Sequence, residues 1–338
     1  MSAQPSVFSL RPSSRPLRLG FVGLGWIGRK RLDAIAADPS IQVAALSDSD
    51  TDKLTNTSTS FPDAKPITHL EDLLSCALDG VVIATPNADH ADQAIACLRR
   101  GVAVFCQKPL ATNAADAERV VQCAQQADKL LSIDFSYRHV RGMHALRDHI
   151  QTGSLGEINA IDLVFHNAYG PNKHWCFDRS RAGGGCLLDL GVHLVDLALW
   201  LQNGPSMRVV SSRLFSRGRV ATKDEVEDLA FLELRQENGA IVRIACSWNA
   251  QIGCDAQISA HIQGSRGGAE WRNLNGSFVD FDLHLLRGNA RERLGMSLDD
   301  WGPGALSAWI GKLRQNASFD PDAFEILAGA RLIDEAYR

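Results

Sequence analysis

The chain holds eight cysteines but no C-x-x-C pair, and without that spacing the usual zinc and dithiol-redox sites are not expected. Most of the cysteines sit inside apolar stretches, where a reduced thiol behaves as a small hydrophobe. The expectation is a reducing, cytoplasmic setting and no metal. Positive charge is not in excess either. Lysine and arginine total 35 against 39 acids, for a net charge of -4, which gives no electrostatic reason to expect nucleic acid or an anionic membrane as partner. No apolar run approaches the length of a membrane span. The opening residues lack an apolar segment long enough for a signal peptide and are read as a loose arm, residues 1–16. What remains is an ordinary globular composition, 45% hydrophobic and 22% charged over 338 residues, too long for one typical domain.

The first half is organised by short apolar runs that stop at chemically distinctive residues. Residues 17–22 form an expected strand running into Gly23-Leu-Gly25-Trp26-Ile27-Gly28 and then a helical pattern. A G-x-G-x-x-G turn between strand and helix lets the backbone approach a pyrophosphate at the helix N-terminus. A second strand, 41–47, ends at Asp48, twenty residues beyond Gly28, where an acid can accept from a ribose 2′-hydroxyl. That carboxylate would repel a 2′-phosphate, so NAD is preferred to NADP, with Lys53 or a residue from elsewhere in the fold able to reverse the choice. Further strands at 80–84, 102–106 and 130–134 alternate with helices at 89–100 and from an Asn113 cap to 128. The pattern predicts a parallel, doubly wound sheet over residues 17–136, with ligands beyond its carboxyl edge. Gly23, Asp48, Thr85 and Lys108 all fall at strand ends. The fourth strand delivers Gln107-Lys108-Pro109, a single ammonium at the sheet edge with a proline closing further pairing.

From residue 137 to 338 the pattern changes. A helix near 139–151 precedes a long strand through His166, and strands are expected at 207–217, 226–235, 240–249, 255–264 and 277–286. One open, mostly antiparallel sheet accommodates them, its outer face available to a second subunit. Between the first two of these strands lies Gly183-Gly-Gly-Cys-Leu-Leu-Asp189-Leu-Gly-Val-His193-Leu-Val-Asp196. Asp189 and His193 are four apart and share one helix face, with apolar neighbours almost all round. Buried ionisable groups need partners or a purpose: either His193 is a core histidine satisfied by a carboxylate, or the pair does chemistry.

Taken together, Gly23-x-Gly25-x-x-Gly28, Thr85-Pro86-Asn87 with His90, Gln107-Lys108-Pro109 and Gly183-Gly-Gly-x-Leu-x-Asp189-x-Gly-x-His193-x-x-Asp196 resemble the Gfo/Idh/MocA oxidoreductases. The turns Gly153-Ser-Leu-Gly-Glu157 and Gly264-Ser-Arg-Gly267 extend the resemblance toward the final helix, which is expected to pack back on the first domain. The resemblance implies an N-terminal Rossmann domain, a C-terminal α/β domain and an active site between them. Cofactor contacts are then expected from Gly23, Gly25, Trp26, Ile27, Gly28, Asp48, Thr85, Pro86, Asn87, His90, Gln107 and Lys108. Lys108, Asp189 and His193 carry over as the catalytic group. The family motif usually opens with glutamate, and Gln107 departs from it: a neutral amide cannot help hold the lysine cationic.

Oxidising a secondary alcohol removes a hydride and a proton from one carbon centre, so the site needs a nicotinamide and a proton acceptor. His193 is assigned as the base, Asp189 as the group orienting His193 or a substrate hydroxyl, and Lys108 as donor to the reacting oxygen. Arg138, Asn167, Lys173, His174, Trp175 and Arg179 are placed near the cleft mouth. Of these Arg138, Asn167 and Trp175 join Asp189 and His193 as expected contacts to a sugar, cyclitol or related polyol. A homodimer or homotetramer through the open sheet is expected. The alternatives are a non-catalytic dinucleotide-binding regulator on the same fold, and a relative that uses bound cofactor for hydrolysis or for C=N or C=C reduction.

Overall fold

The computed structural model describes residues 15–204, 206–298 and 302–338. Residues 1–14, nearly all of the expected N-terminal arm, lie outside the described residues. From Leu17 strand and helix alternate: β1 (Leu17–Val22), α1 (Trp26–Ile35), β2 (Ile41–Ser47), α2 (Thr51–Ser60), β3 (Lys65–Ile67), α3 (Leu70–Leu74), β4 (Gly80–Ile83), α4 (Asn87–Arg99), β5 (Ala103–Cys106), α5 (Ala114–Gln126) and β6 (Leu131–Ile133). The six strands make one parallel sheet in the order β3-β2-β1-β4-β5-β6, with the reversal of strand order between β1 and β4 that opens a ligand crevice. Two caps seen in this half follow from side-chain chemistry. Asn113 accepts from Asp116 N–H at the start of α5, and Asp50 accepts from Asp52 and Lys53 N–H at the start of α2.

The strand ends are flush. Val22 is in register with both Ser47 and Ile83, Ile83 with Cys106, and Cys106 with Ile133. Gly23, Asp48, Thr85, Lys108 and Asp134 therefore leave the sheet along a single edge.

A 3-10 turn at Ser136–His139 leads to α6 (Met143–Gln151) and β7 (Ile158–Asn167). After a second 3-10 turn, His174–Phe177, come α7 (Arg179–Ala182), a π-turn at Leu187–Gly191 and α8 (Val192–Leu201). The remaining strands are β8 (Met207–Ser216), β9 (Arg219–Val220), β10 (Leu229–Gln236), β11 (Ile241–Ser247), β12 (Ala256–Gly264), β13 (Gly268–Asn273), β14 (Phe281–Arg287) and β15 (Ala290–Ser297). They join β7 in a nine-stranded sheet ordered β15-β14-β13-β12-β7-β11-β10-β8-β9. Only β7 and β11 run parallel; the other pairs are antiparallel. Ile161, Leu163 and Phe165 of β7 alternate inward and pack in one core with Leu187, Leu188, Leu194 and Val195.

The helical path Arg179–Leu201 is in fact long and apolar enough to cross a membrane, by length and composition alone, which corrects the expectation of no such run. Its most apolar window is 89% buried, so here it is the core helix of the second domain.

The chain then returns. α9 (Gly304–Gln315) sets Trp309 against Phe105, ring centroids 5.7 Å apart, inside the core of the parallel sheet. α10 (Ala323–Ala336) packs on α5 and α8 together, and its Asp334 carboxylate accepts from Ala114 N–H across the domain junction. Two helices, rather than the final one alone, rejoin the first domain.

Candidate active site

The glycine turn has three distinct jobs. Gly23 sits at φ +88, where a side chain would be strained and would strike Ala84, and a Cβ on Gly28 would strike the carbonyl of Gly23. Around Gly25 the space is open, with nothing within 4 Å of a Cβ built there. That is the pattern a pyrophosphate cradle requires: one glycine to turn, one to bring helix against strand, one left bare for the ligand. Trp26 opens α1 with 72% of its surface exposed, beside the half-buried Ile27. Asp48 accepts from Leu24 N–H at 2.6 Å with one oxygen and from Asp50 N–H at 2.8 Å with the other. Lys53, the residue that could favour a 2′-phosphate, is paired with Asp50 at 2.8 Å.

Thr85, Pro86, Asn87 and His90 brace the cleft from the next strand. His90 is buried, with one ring nitrogen 2.7 Å from Pro109 O and the other 2.8 Å from Thr85 O, and burial lowers its pKa. It ties the Thr85 turn to the Lys108 turn. Asn87 donates to Ala182 O at 2.8 Å, binding α4 to the second domain, and Pro86 is the N-cap position of α4.

Lys108 leaves β5 and meets Asp189 from the π-turn. Its ammonium donates to the Asp189 carboxylate at 2.6 Å and to the Asp189 carbonyl at 2.8 Å. The other carboxylate oxygen accepts from the indole N–H of Trp248 at 3.1 Å. Asp189 is the more open partner, its side chain 38% exposed against 19% for Lys108.

His193 stands four residues on, in an aromatic setting. Tyr137 meets its ring edge-on at 5.0 Å, and Phe135 and Phe165 lie 6.4 Å away. Burial, then Lys108, then Arg31 hold its pKa well below the ordinary histidine value. Among the described residues no hydrogen bond joins His193 to Asp189, whose two oxygens accept from Lys108 and Trp248.

The other expected contacts divide. Trp175 lies in the 3-10 turn with Lys173 over its ring at 5.8 Å, and the neighbouring Phe177 packs on Trp248 at 5.9 Å. This turn therefore sits beside Asp189, and burial together with Asp189 raises the Cys176 thiol to about 11. Asn167 ends β7 on the same face as Phe165, and its side-chain oxygen is buried without a partner among the described residues. His174 is exposed. Arg138 and Arg179 do not fit a cleft-mouth placement. Arg138 spends its guanidinium on Asp196 and Glu325, and Arg179 lies over the Tyr337 ring at 4.3 Å with Glu227 3.7 Å away.

Sequence reasoning missed Trp248, Arg31, Asp134 and Glu227. Trp248 is 59 residues from Asp189 and nothing local joins them. Glu227 is buried, accepting from Gly185 N–H, Leu187 N–H and the Tyr337 hydroxyl, so it anchors the segment that carries Asp189.

A flush-ended parallel sheet with a bare-glycine cradle, its Lys108 paired with Asp189 of a second domain, defines a two-domain dinucleotide-dependent oxidoreductase. The comparisons agree. Residues 17–135 match the model of the oxidoreductase family with NAD-binding Rossmann fold, and residues 143–270 match the GFO/IDH/MocA C-terminal domain. The chain belongs to the Gfo/Idh/MocA oxidoreductase family. It is 30% identical to a UDP-kanosamine synthase oxidoreductase subunit, so named provisionally, of Amycolatopsis mediterranei, over 76% of this chain and 75% of that one. It is 28% identical to 1,5-anhydro-D-fructose reductase of Ensifer adhaerens, over 76% of each chain. Its fold matches KijD10, a 3-ketoreductase from Actinomadura kijaniata solved with NADP and TDP-benzene. There the TM-score is 0.81 at 22% identity, covering 95% of this chain and 96% of the other. The protein is an NAD(P)-dependent oxidoreductase.

Proposed function

We propose that the protein interconverts a secondary alcohol and a ketone on a sugar, cyclitol or related polyol derivative, with Lys108, Asp189 and His193 at the reacting carbon. The observation that carries this is the Lys108–Asp189 contact at 2.6 Å, with His193 four residues along the same helical path and the dinucleotide cradle on the same sheet edge. The dinucleotide, when bound, supplies or accepts the hydride. Asp189 holds the Lys108 ammonium, which then donates to the reacting oxygen and stabilises developing alkoxide charge. His193 is neutral at pH 7, because its proton affinity is lowered by burial and by two cations. It accepts the hydroxyl proton as the hydride leaves and, with a lowered pKa, passes that proton on to solvent water. Trp248 orients Asp189 by bonding the oxygen that Lys108 leaves.

Gln107 does not strand the lysine. Lys108 has its carboxylate partner in Asp189, from the other domain.

NAD is the proposed cofactor over NADP, because Asp48 and Asp50 stand together at the end of β2 and Lys53 is engaged by Asp50. Trp175 and Asn167 are proposed to contact the substrate, with Trp175 and Phe177 as an apolar wall for a sugar face. Pairing of copies through the open sheet is supported by Phe231, Val210 and Ile241, large apolar side chains exposed on neighbouring strands.

The test is turnover. Purified protein with NAD or NADP and a panel of D-glucosides, inositols and nucleotide-linked ketosugars should change absorbance at the nicotinamide band. His193→Ala should reduce the rate with every substrate that turns over; undiminished turnover in that variant refutes the site. Tighter binding of NADP than NAD refutes the Asp48 argument.

A further inference from the structure

We infer that Asp134, Arg31 and Gln107 form a charge-balanced buried support that positions Lys108 and sets the electrostatic field at His193. The inference takes the reacting groups from the proposed function, but its geometry stands apart from any substrate.

Gln107 and Asp134 each follow the last residue of adjacent parallel strands, Cys106 and Ile133, which are in register. The Asp134 carboxylate accepts from three side chains. Arg31 of α1 donates Nε–H to one carboxylate oxygen at 2.6 Å, and Gln107 donates its amide N–H to the same oxygen. Ser136 donates its hydroxyl to the other oxygen at 2.5 Å and itself accepts from Arg31 at 3.1 Å. All four side chains are buried, Arg31 and Asp134 being 5% and 1% exposed. One cation and one anion cancel here, and in a desolvated site that balance decides whether the pair is tolerated.

The residue immediately before Lys108 is thereby constrained to be a donor. A carboxylate at 107 would face the Asp134 oxygen acceptor to acceptor and leave the cluster net negative. An amide at 107 and an acid at 134 are one unit, and exchanging both preserves the charge and reverses the hydrogen bond. Arg31 keeps one buried guanidinium nitrogen, Nη1, without a partner among the described residues.

The cluster reaches the site through charge. Lys108 from the end of β5 and Arg31 from α1 both act on His193, and Asp189 from the π-turn acts on Tyr137, which packs on the His193 ring. Phe135 and Phe165 close the remaining ring contacts without charge. Asp134 pairs with Arg31 at 2.6 Å, so loss of that acid would leave uncompensated the Arg31 charge that acts on His193.

The experiment uses the full chain and needs no substrate. Gln107→Glu, Asp134→Asn and the double variant are compared by thermal unfolding, and by NMR titration of the His193 ring after 13C-histidine labelling, assigned with His193→Gln. Each single variant should lower Tm by about 5 °C or more, and the double variant should return to within about 2 °C of the parent. The His193 midpoint should move by about one pH unit, up in Gln107→Glu and down in Asp134→Asn, and return in the double variant. If a single variant does not fold, soluble protein on adding the second change supports the unit, and failure to recover it overturns it. Losses that merely add in the double variant overturn the balance. A His193 resonance that behaves identically in Gln107→Glu and the parent overturns the electrostatic role, whatever Tm does. Both readouts are independent of turnover, so the proposed chemistry can fail separately.

Discussion

Asp189 and Asp196 lie seven residues apart on one buried helical path, and each is paired with a cation from the first half of the chain. Their settings differ. Asp196 is 7% exposed and is gripped by Arg138 through two parallel bonds, 2.9 Å and 2.5 Å, with Glu325 on the remaining guanidinium nitrogen. Asp189 is half open and holds Lys108 at a single carboxylate oxygen. A planar fork fixed on both oxygens is a rivet, whereas a lysine on a flexible stem can turn from its carboxylate to a substrate oxygen. The same helix thus carries a structural pair toward its C-terminal end and an exchangeable pair at its N-terminal end, and exposure decides which is which.

The largest expected effect separates the two pairs by readout. Lys108→Ala should cut turnover by about a thousandfold, since it removes the donor to the reacting oxygen, and leave Tm within a few degrees. Arg138→Ala should do the reverse. It leaves Asp196 buried and uncompensated, a loss of roughly 3–5 kcal/mol by analogy with broken buried pairs, and Tm should fall by about 10 °C. Thermal unfolding and nicotinamide absorbance on both variants check this. A large Tm loss in Lys108→Ala would erase the distinction.

Arg138 also marks where the sequence could be read and where it could not. An arginine just past the last strand of a dinucleotide fold, near an expected cleft, reads as a substrate ligand. What claims it instead is Asp196, 58 residues away, and Glu325, 187 residues away, and no local pattern reports such distances. The strand ends were legible because Gly23, Asp48, Thr85 and Lys108 each punctuate an apolar run of period two or a continuous buried run. β3 escaped notice as three edge residues containing a proline. β13 and β15 escaped because Gly-Ala-Glu-Trp-Arg-Asn and Ala-Arg-Glu-Arg-Leu-Gly-Met-Ser show little apolar alternation. Pairing with β14, which alternates plainly, makes strands of them. The proposed catalytic trio was legible as motifs, but its wiring was not. The four-residue spacing suggested Asp189 to His193, and the third partner was an indole at the end of β11.

That indole offers a smaller test of the exchangeable pair. Trp248→Phe keeps an aromatic against Phe177 but deletes the N–H that holds the second Asp189 oxygen. A hydrogen bond to a charged group is worth about 1.5–3 kcal/mol, and only the part felt at the reacting carbon reaches the rate. Turnover should fall by about tenfold with Tm little changed. If kcat is unaltered, Asp189 is held by Lys108 alone and the indole only packs.

The finest distinction between the two pairs is in the histidine beside each. His139 adjoins Arg138, and burial first, then His144 and Arg138, lower its pKa to about 4. His193 is lowered in the same direction by burial, Lys108 and Arg31. An unfolded histidine titrates near 6.5, so on acidification the unfolded chain takes up protons before the folded one does. Stability is therefore full above about pH 6.5 and is lost progressively as pH falls toward about 4, the folded value of His139. Because its ring is partly screened by solvent, a Tm loss of roughly 3–5 °C between pH 7 and pH 5 is expected from His139. His139→Gln should flatten that slope in part, leaving the share due to His193, while His193→Gln should flatten the other share and also abolish the acid limb of turnover. The structural pair's histidine should move only the first of these readouts. An acid limb of turnover that shifts in His139→Gln would mean that the two pairs communicate, and that the helix between them does not insulate the site from its rivet.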